Sequence, residues 1–587
     1  MAASERNTPH AAERSGRWRP LGFVLRLAAI VAFVALTNDG FLQRVMLVVD
    51  QERYGTLIGF AVVWSVSLVA LLIAAFQPNR WVRGFWALIV AVTTAVGFAF
   101  RKASGNELSI LDVVSLWGAR HEAGRAMEFY SADLTWAVLC VVFAFIVMAM
   151  PPVPKSAAGR RWLNRLAWAP AVPAVMIAAI VLTKEGGGMQ ALPTQFAPLS
   201  VAAVAGSKLA VHPVPERNAV AWTPGRRGVR HIVLLVDESV RADFIDWTLG
   251  NASTPELAKL RSRVVDFGPA VSGGNCSHYS NAILRFAAGR DQVGPKLLTN
   301  PTLWQYAKKA GFRTVYIDAQ AAFNRSLGKL QNFMTATETR DIDAFYALDA
   351  GIAPSDLDDR LLDVVVAELK SDQPVFIYAN KNGAHFPYDR GYPAAEAPFR
   401  PTMSEAPDVA ARINSYRNVV RWSVDRFFRR LFAEAALDDS VLIYTSDHGQ
   451  NFDPRRLSHC SVEEPDPREA LVPLFVVAND EALRARFATA AQASAGHASH
   501  FSIAPTLLEL FGYQRRDLAG TYRETMLEGN ADRPAFTTGD VFGLFASKVR
   551  WHMIDLLQSF REPVAKNAPT APGPSARVMP TPTTVTR

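Results

Sequence analysis

The 587 residues are too many for one small core, and the formal net charge of +8 is spread over scattered arginines, with no zinc-finger, RRM or helix-turn-helix signature to gather it. Nucleic-acid binding is therefore not expected, and three cysteines (Cys140, Cys276 and Cys460) are too few for the disulfide framework of a small secreted domain. A mean hydropathy of +0.07 averages two unlike parts, because the long apolar runs precede residue 185 and all but two of the 11 histidines follow it.

Five runs approach the roughly 20 apolar residues that a spanning helix needs: about Pro20–Leu36, Tyr54–Phe76, Phe85–Phe100, Leu134–Met150 and Ala167–Leu182. Arg26 lies inside the first, near enough to its start to snorkel to the headgroups. No Ala-x-Ala site ends that run, so it reads as a retained span. Arg6, Arg14, Arg17 and Arg19 precede the first span; Arg80 and Arg83 lie between the second and third; Lys155, Arg160, Arg161 and Arg165 lie between the fourth and fifth. With these loops inside, the chain after the fifth span faces outward. Between spans, residues 106–130 place apolar side chains at helical spacing (Leu108, Ile110, Leu111, Val114, Leu116, Trp117), which suits a membrane-surface helix or ordinary loop packing.

The organisation expected is a transmembrane domain over 1–183, a Gly-, Ala- and Pro-rich linker over 184–229, a soluble domain over 230–562 and a disordered Pro-, Ala- and Thr-rich tail over 563–587. In the soluble part strands and helices alternate. His231–Val236 is a continuous apolar run, as a strand buried on both faces requires. Helix Leu303–Ala310 is stopped by Gly311, and strand Thr314–Ile317, helix Leu357–Leu369 and strand Val375–Tyr378 follow. Helix Ala411–Ala435, strands Ser440–Thr445 and Leu474–Val477, and helix Ile503–Phe511 closed by Gly512 complete the series. This order predicts an α/β domain: a mostly parallel sheet sandwiched by helices, joined to a bundle of about five transmembrane helices.

In such a sheet ligands collect at the carboxyl ends of the strands. The first strand ends in Asp237-Glu238-Ser239 and the fourth in Ser446-Asp447-His448-Gly449. Carboxylates and an imidazole at neighbouring strand ends suit a zinc-like cation; the plainer alternative is a pair of Asx turns. A small-residue loop, Gly273-Gly274-Asn275-Cys276, leads into Ser277-His278-Tyr279-Ser280 at the start of a helical run. Ser277 there is either an N-cap or a nucleophile whose hydroxyl a nearby dication acidifies. His385 and His459 stand in polar loops after strands and suit contacts to a phosphate or a second metal. Cys276 and Cys460 flank these motifs. A bridge between them is conceivable outside the cytoplasm, but two independent thiols are the simpler expectation.

Asp237-Glu238-Ser239, Ser277-x-x-Ser280, Leu-Trp-Gln-Tyr-Ala-Lys-Lys-Ala-Gly-Phe-Arg-Thr-Val-Tyr-Ile-Asp-Ala-Gln (303–320), Gly-Ala-His-Phe-Pro-Tyr (383–388), Asn414-x-Tyr416-x-Asn418 and Tyr-Thr-Ser-Asp-His-Gly (444–449) occur in order. Together they resemble the sulfatase-like branch of the alkaline phosphatase superfamily, most of all its membrane-anchored phosphoethanolamine transferases. The resemblance covers the spans and roughly residues 230–515. It implies Glu238, Asp447 and His448 as metal ligands with Ser277, which matches the hydroxyl nucleophile. His385 and His459 match residues that bind the transferred phosphoryl group or a second metal. Ser280 matches a serine three residues beyond the nucleophile, and Asp237 stands where an additional ligand occurs in true sulfatases. Cys276-Ser-His-Tyr-Ser lacks the context that makes formylglycine, which disfavours a formylglycine-type sulfatase.

The function this resemblance implies is a zinc-dependent phosphotransfer with one Zn2+, or two, or another divalent ion. A phosphoethanolamine-type group leaves a membrane phospholipid donor, rests on Ser277 and passes to lipid A or another envelope glycan. The protein would be a monomer in a bacterial inner membrane with its catalytic domain in the periplasm. The rival readings are a hydrolase of the same fold, acting on phosphodiesters or sulfate esters, and a non-catalytic envelope scaffold.

Overall fold

The computed structural model describes residues 19–560 apart from short stretches, chiefly 117–126, 152–156, 184–190, 212–215, 321–337 and 544–548. The expected tail over 563–587 and most of 106–130 lie outside the described residues, though Leu108 and Ile110 are buried.

Two helices of the N-terminal part are long and apolar enough to cross a membrane, Tyr54–Ala75 and Arg80–Lys102. A third candidate is the pair Gly159–Arg165 and Ala169–Thr183, bent by 46°. Pro170 and Pro173 sit at that bend, where each removes a backbone donor and crowds the preceding turn. The first and fourth expected spans form the shorter apolar helices Phe23–Thr37 and Leu134–Ala149. The count of five is therefore not confirmed: two helices, or three with the bent pair, reach that length among the described residues. Arg26 also differs from expectation. It does not reach outward; its buried guanidinium donates to Ala75 O, Val147 O and Met148 O, carbonyls at the C-terminal ends of two helices that have no intrahelical partner.

The stretch expected as linker carries a helix, Ala197–Val211. Just before it, Trp64 Nε1 donates to Ala191 O, and Asn38 binds both Gln195 and Thr194. Farther on, Gly225 N and Gly228 N donate to Gly512 O and Leu510 O, and Trp222 stacks on Tyr306.

The C-terminal part is built on a seven-stranded sheet: β1 (His231–Asp237), β2 (Val265–Val271), β3 (Arg313–Asp318), β4 (Ala344–Ala347), β5 (Val375–Asn380), β6 (Ser440–Ser446) and β7 (Leu471–Ala478), in the spatial order β2-β7-β6-β1-β5-β3-β4. β1 is central and pairs parallel with β5 and β6; β3 pairs parallel with β5 and β4. β7 runs antiparallel to β6 and to the edge strand β2. A small hairpin, β8 (Ala535–Thr538) with β9 (Arg550–Met553), lies beside the sheet, and Thr537 bridges to Gly274. All seven residues of β1 are buried because both faces are covered. Ile232, Leu234 and Val236 join the core on one face, and Val233 and Leu235 the core on the other, following the two-residue alternation of a strand. The parallel register brings the carboxyl ends of β1, β5 and β6 to one rim, with Asp237 opposite Ser446 and Val236 opposite Asn380.

Candidate active site

At that rim Glu238, Asp447 and His448 each offer one ligand atom, all within 4.8 Å of one another and all buried. His448 Nε2 lies 3.3 Å from Glu238 Oε1 and 3.7 Å from Asp447 Oδ2. Ser277 completes the group: its Oγ is 3.0 Å from His448 Nε2 and 3.3 Å from Glu238 Oε2. Four side chains from three separate stretches of the sequence therefore face a single point.

Each is oriented by neighbours. His448 Nδ1 contacts Gly449 O at 2.7 Å; a proton held there leaves the Nε2 lone pair facing the cluster. Gly449 must be glycine, since a Cβ would stand 2.1 Å from Arg468 O. Asp447 Oδ1 accepts from Ser239 N and His448 N, while Oδ2 faces inward and takes Asn281 Nδ2 at 3.4 Å. Tyr378 OH in turn donates to Asn281 Oδ1. Glu238 Oε1 accepts from Ser239 Oγ. Ser239 adopts φ +58°, a strained conformation for a non-glycine residue, and Tyr416 OH, which donates to Ser239 O and accepts from Arg241 N, secures it. Tyr416 of the Asn414-x-Tyr416-x-Asn418 motif is thus a support for the β1 end.

Ser277 opens the helix Ser277–Arg285, with Cys276 at its cap position. The dipole of that helix end favours developing negative charge on the serine oxygen.

The electrostatics solicit a cation. Burial pushes the Asp447 carboxyl well above its usual range, and the charge of Glu238 adds to this. At His448 burial alone would lower the pKa, but Asp447 and Glu238 outweigh it and raise the imidazole to about 10. Two buried carboxylates stabilise positive charge between them, and their oxygens with one imidazole nitrogen suit a borderline divalent ion such as Zn2+.

The other expected residues fall in different places. His459 is half-buried, with its ring stacked on that of His448. His385 is buried with Nδ1 2.6 Å from Phe386 O, and the Phe386 ring has its centroid 4.8 Å from that of His385 and 6.1 Å from that of His459. Among the described residues neither histidine joins a second group of three ligands. Ser280 turns from the cluster to His500 Nδ1 at 3.2 Å. Asp237 is not brought to the cluster either. It directs Oδ2 to Lys381 Nζ and Tyr444 OH and accepts from Glu238 N with Oδ1, because adjacent residues at a strand end project to opposite sides. Lys381, fully buried, also pairs with Asp358 at 3.6 Å and donates to Ser423 O.

Cys276 and Cys460 are bridged, with Cα atoms 4.7 Å apart, which corrects the expectation of independent thiols; Cys140 is free. A separation of 184 residues conceals the pairing, which the sheet order creates by placing the loop after β6 beside the loop after β2.

A family model described as sulfatase matches residues 230–513. No curated protein matches the chain in sequence. Among solved structures, the integral membrane protein lipooligosaccharide phosphoethanolamine transferase A of Neisseria meningitidis is similar at 17% identity and a TM-score of 0.54, over 74% of this chain and 85% of that one. This likeness shows a shared fold. The soluble domain of lipooligosaccharide phosphoethanolamine transferase A from the same organism aligns at 20% identity and a TM-score of 0.44, over 55% of this chain and 99% of that one. The C-terminal periplasmic domain of EptC from Escherichia coli aligns at 17% identity and a TM-score of 0.44, over 56% of this chain and 94% of that one.

Proposed function

We propose, for a chain whose residues 230–513 match a family model described as sulfatase, a cation-dependent transferase that moves a phosphoethanolamine-type group from a membrane phospholipid to an envelope glycolipid or glycan. The observation that carries this reading is Ser277 Oγ, 3.0 Å from His448 Nε2 and 3.3 Å from Glu238, at the start of a helix. Glu238, Asp447, His448 and Ser277 would hold one Zn2+-class ion, which when bound acidifies the serine hydroxyl and neutralises charge on the phosphoryl oxygens.

The serine oxygen attacks phosphorus of the donor headgroup; a bond from Ser277 to phosphorus forms, the bond to the diacylglycerol oxygen breaks, and diacylglycerol leaves with a proton. An acceptor hydroxyl or phosphate oxygen then attacks the same phosphorus and frees the serine. The helix N-terminus would receive the negative charge that develops at Ser277, and His459, whose ring stacks on His448, would meet a non-bridging oxygen. With apolar helices N-terminal to it, the domain would work at the periplasmic face of an inner membrane, where donor and acceptor are both amphiphiles. Cys276, committed to a disulfide, does not serve as a formylglycine precursor in this scheme.

Purified protein incubated with headgroup-labelled phosphatidylethanolamine and envelope lipids should pass label to a lipid or glycan acceptor, and Ser277→Ala should stop it. Label appearing only in water would replace transfer by hydrolysis. Undiminished transfer by the variant would remove Ser277 from the role.

A further inference from the structure

A second set of donors converges beside the nucleophile. Cys276 precedes Ser277, His278 is the second residue of the same helix, and Cys460 follows His459. Cys276 Sγ stands 3.2 Å from His278 Nδ1, and one ligand atom from each of Cys276, His278 and Cys460 lies within 4.8 Å of the others. With the disulfide closed, neither sulfur is a thiolate, the form that binds metals strongly.

The two loops do not depend on the disulfide alone to stay opposed. Cys460 N donates to Asn275 O at 2.9 Å, and Asn275 Nδ2 donates to Ser461 O and to Glu469 Oε2, each at 2.7 Å. Glu469, fully buried, also accepts from Ser461 N and Ser461 Oγ. Opening the bond therefore leaves two thiols and an imidazole face to face on a scaffold that other contacts hold.

We propose that reduction turns this bridge into a Cys2His site for a thiophilic cation of the Zn2+ or Cu+ class, separate from the cluster of Glu238, Asp447 and His448. A phosphine and one water convert the disulfide to two thiols and a phosphine oxide. The ion then binds Cys276 Sγ, Cys460 Sγ and a ring nitrogen of His278 and releases the two thiol protons. Three protein donors leave a fourth position that the protein does not fill, and the soft sulfur set selects a different ion from the oxygen-rich cluster beside it. Occupied, the site joins the same two loops that the disulfide joins.

The test is titration of the full-length, detergent-solubilised protein with Co2+, before and after treatment with a water-soluble phosphine, with thiols counted in parallel. The oxidised protein should show one free thiol, Cys140, and no sulfur-to-cobalt charge-transfer band. The reduced protein should show three thiols, one further equivalent of Co2+ and that band. His278→Asn should weaken the added site at least about tenfold, and alkylation of the reduced wild type should abolish it without requiring a cysteine variant to fold. A thiol count that stays at one, or three thiols without an added equivalent, overturns the proposal. Failure of the oxidised protein to bind any Co2+ would instead count against the first centre, so the two outcomes are distinct.

Discussion

The imidazole of His459 lies over that of His448, with ring centroids 4.3 Å apart and planes inclined by 28°. His448 is fully buried and turns Nε2 to Ser277, whereas His459 is half-buried beside it and keeps Nδ1 3.1 Å from Ser458 Oγ. His459 therefore borders the nucleophile without belonging to the ligand cluster. His459→Ala should lower transfer by roughly 10²–10³-fold, the usual cost of removing one group that meets developing charge, and leave cation content unchanged. Elemental analysis alongside label transfer checks both; loss of the cation with activity would make His459 a ligand.

Asn281 acts one step out. Its amide joins Tyr378 OH to Asp447 Oδ2 and so sets the carboxylate's direction. Asn281→Ala should weaken cation affinity by about 10–100-fold, as outer-shell changes commonly do. Chelator competition measures this, and excess metal should restore most of the turnover. Unaltered affinity would show that Asp447 needs no such support.

Gly383 is held at φ +52°, and a Cβ there would stand 2.1 Å from Asp237 Oδ1 and 2.7 Å from Glu238 N. The clash is with backbone as well as side chain, so Gly383→Ala must displace the end of β1 or the loop bearing His385. A destabilisation of about 1–3 kcal/mol is expected from the conformation alone, with cation binding impaired because Glu238 moves. Thermal unfolding and metal titration of the variant test this; wild-type values for both would contradict it.

Stability should depend on acid through His500. Burial drives its imidazole from an ordinary 6.5 down to about 3, so it is neutral in the fold, bound to Ser280 and Thr445. The folded pKa lies below the unfolded one. Its contribution is therefore fully present above about pH 6.5 and is lost as pH falls toward 3, at up to about 1.4 kcal/mol per pH unit. The difference in unfolding midpoint between wild type and His500→Gln should narrow steadily from pH 7 to pH 4. A difference constant across that range would contradict the assignment.

The ends of β1 and β6 were legible because each follows a continuous apolar run, and a polar cluster directly after such a strand has few places to go but the sheet's rim. That made Glu238, Asp447 and His448 visible together, and the small-residue loop before the helix made Ser277 visible. Asn281 was within reach, four residues beyond Ser277 on the same helix face. His500 and Lys381 were not, since their partners (Ser280 and Thr445; Asp237, Asp358 and Ser423) come from remote elements that only the spatial arrangement brings together. Strand β2 was hidden by Gly268 and Pro269 and by the register shift between Asp266 and Pro269. The helix Glu481–Ala493 was hidden because its buried face consists of little more than Phe487 and Ala490. In the membrane part, counting apolar residues located a helix at each of the five expected runs but not Phe41–Asp50 or Ala197–Val211, and the kink around Pro170 and Pro173 and the inward turn of Arg26 are packing outcomes.

The most direct test of the account is mass spectrometry of the protein trapped after brief exposure to phosphatidylethanolamine without acceptor. A phosphoethanolamine adduct on the peptide containing Ser277, absent after chelation and absent from Glu238→Gln, is the predicted result. Transfer to acceptor with no adduct at Ser277, or an adduct that forms equally well without a divalent cation, would contradict it.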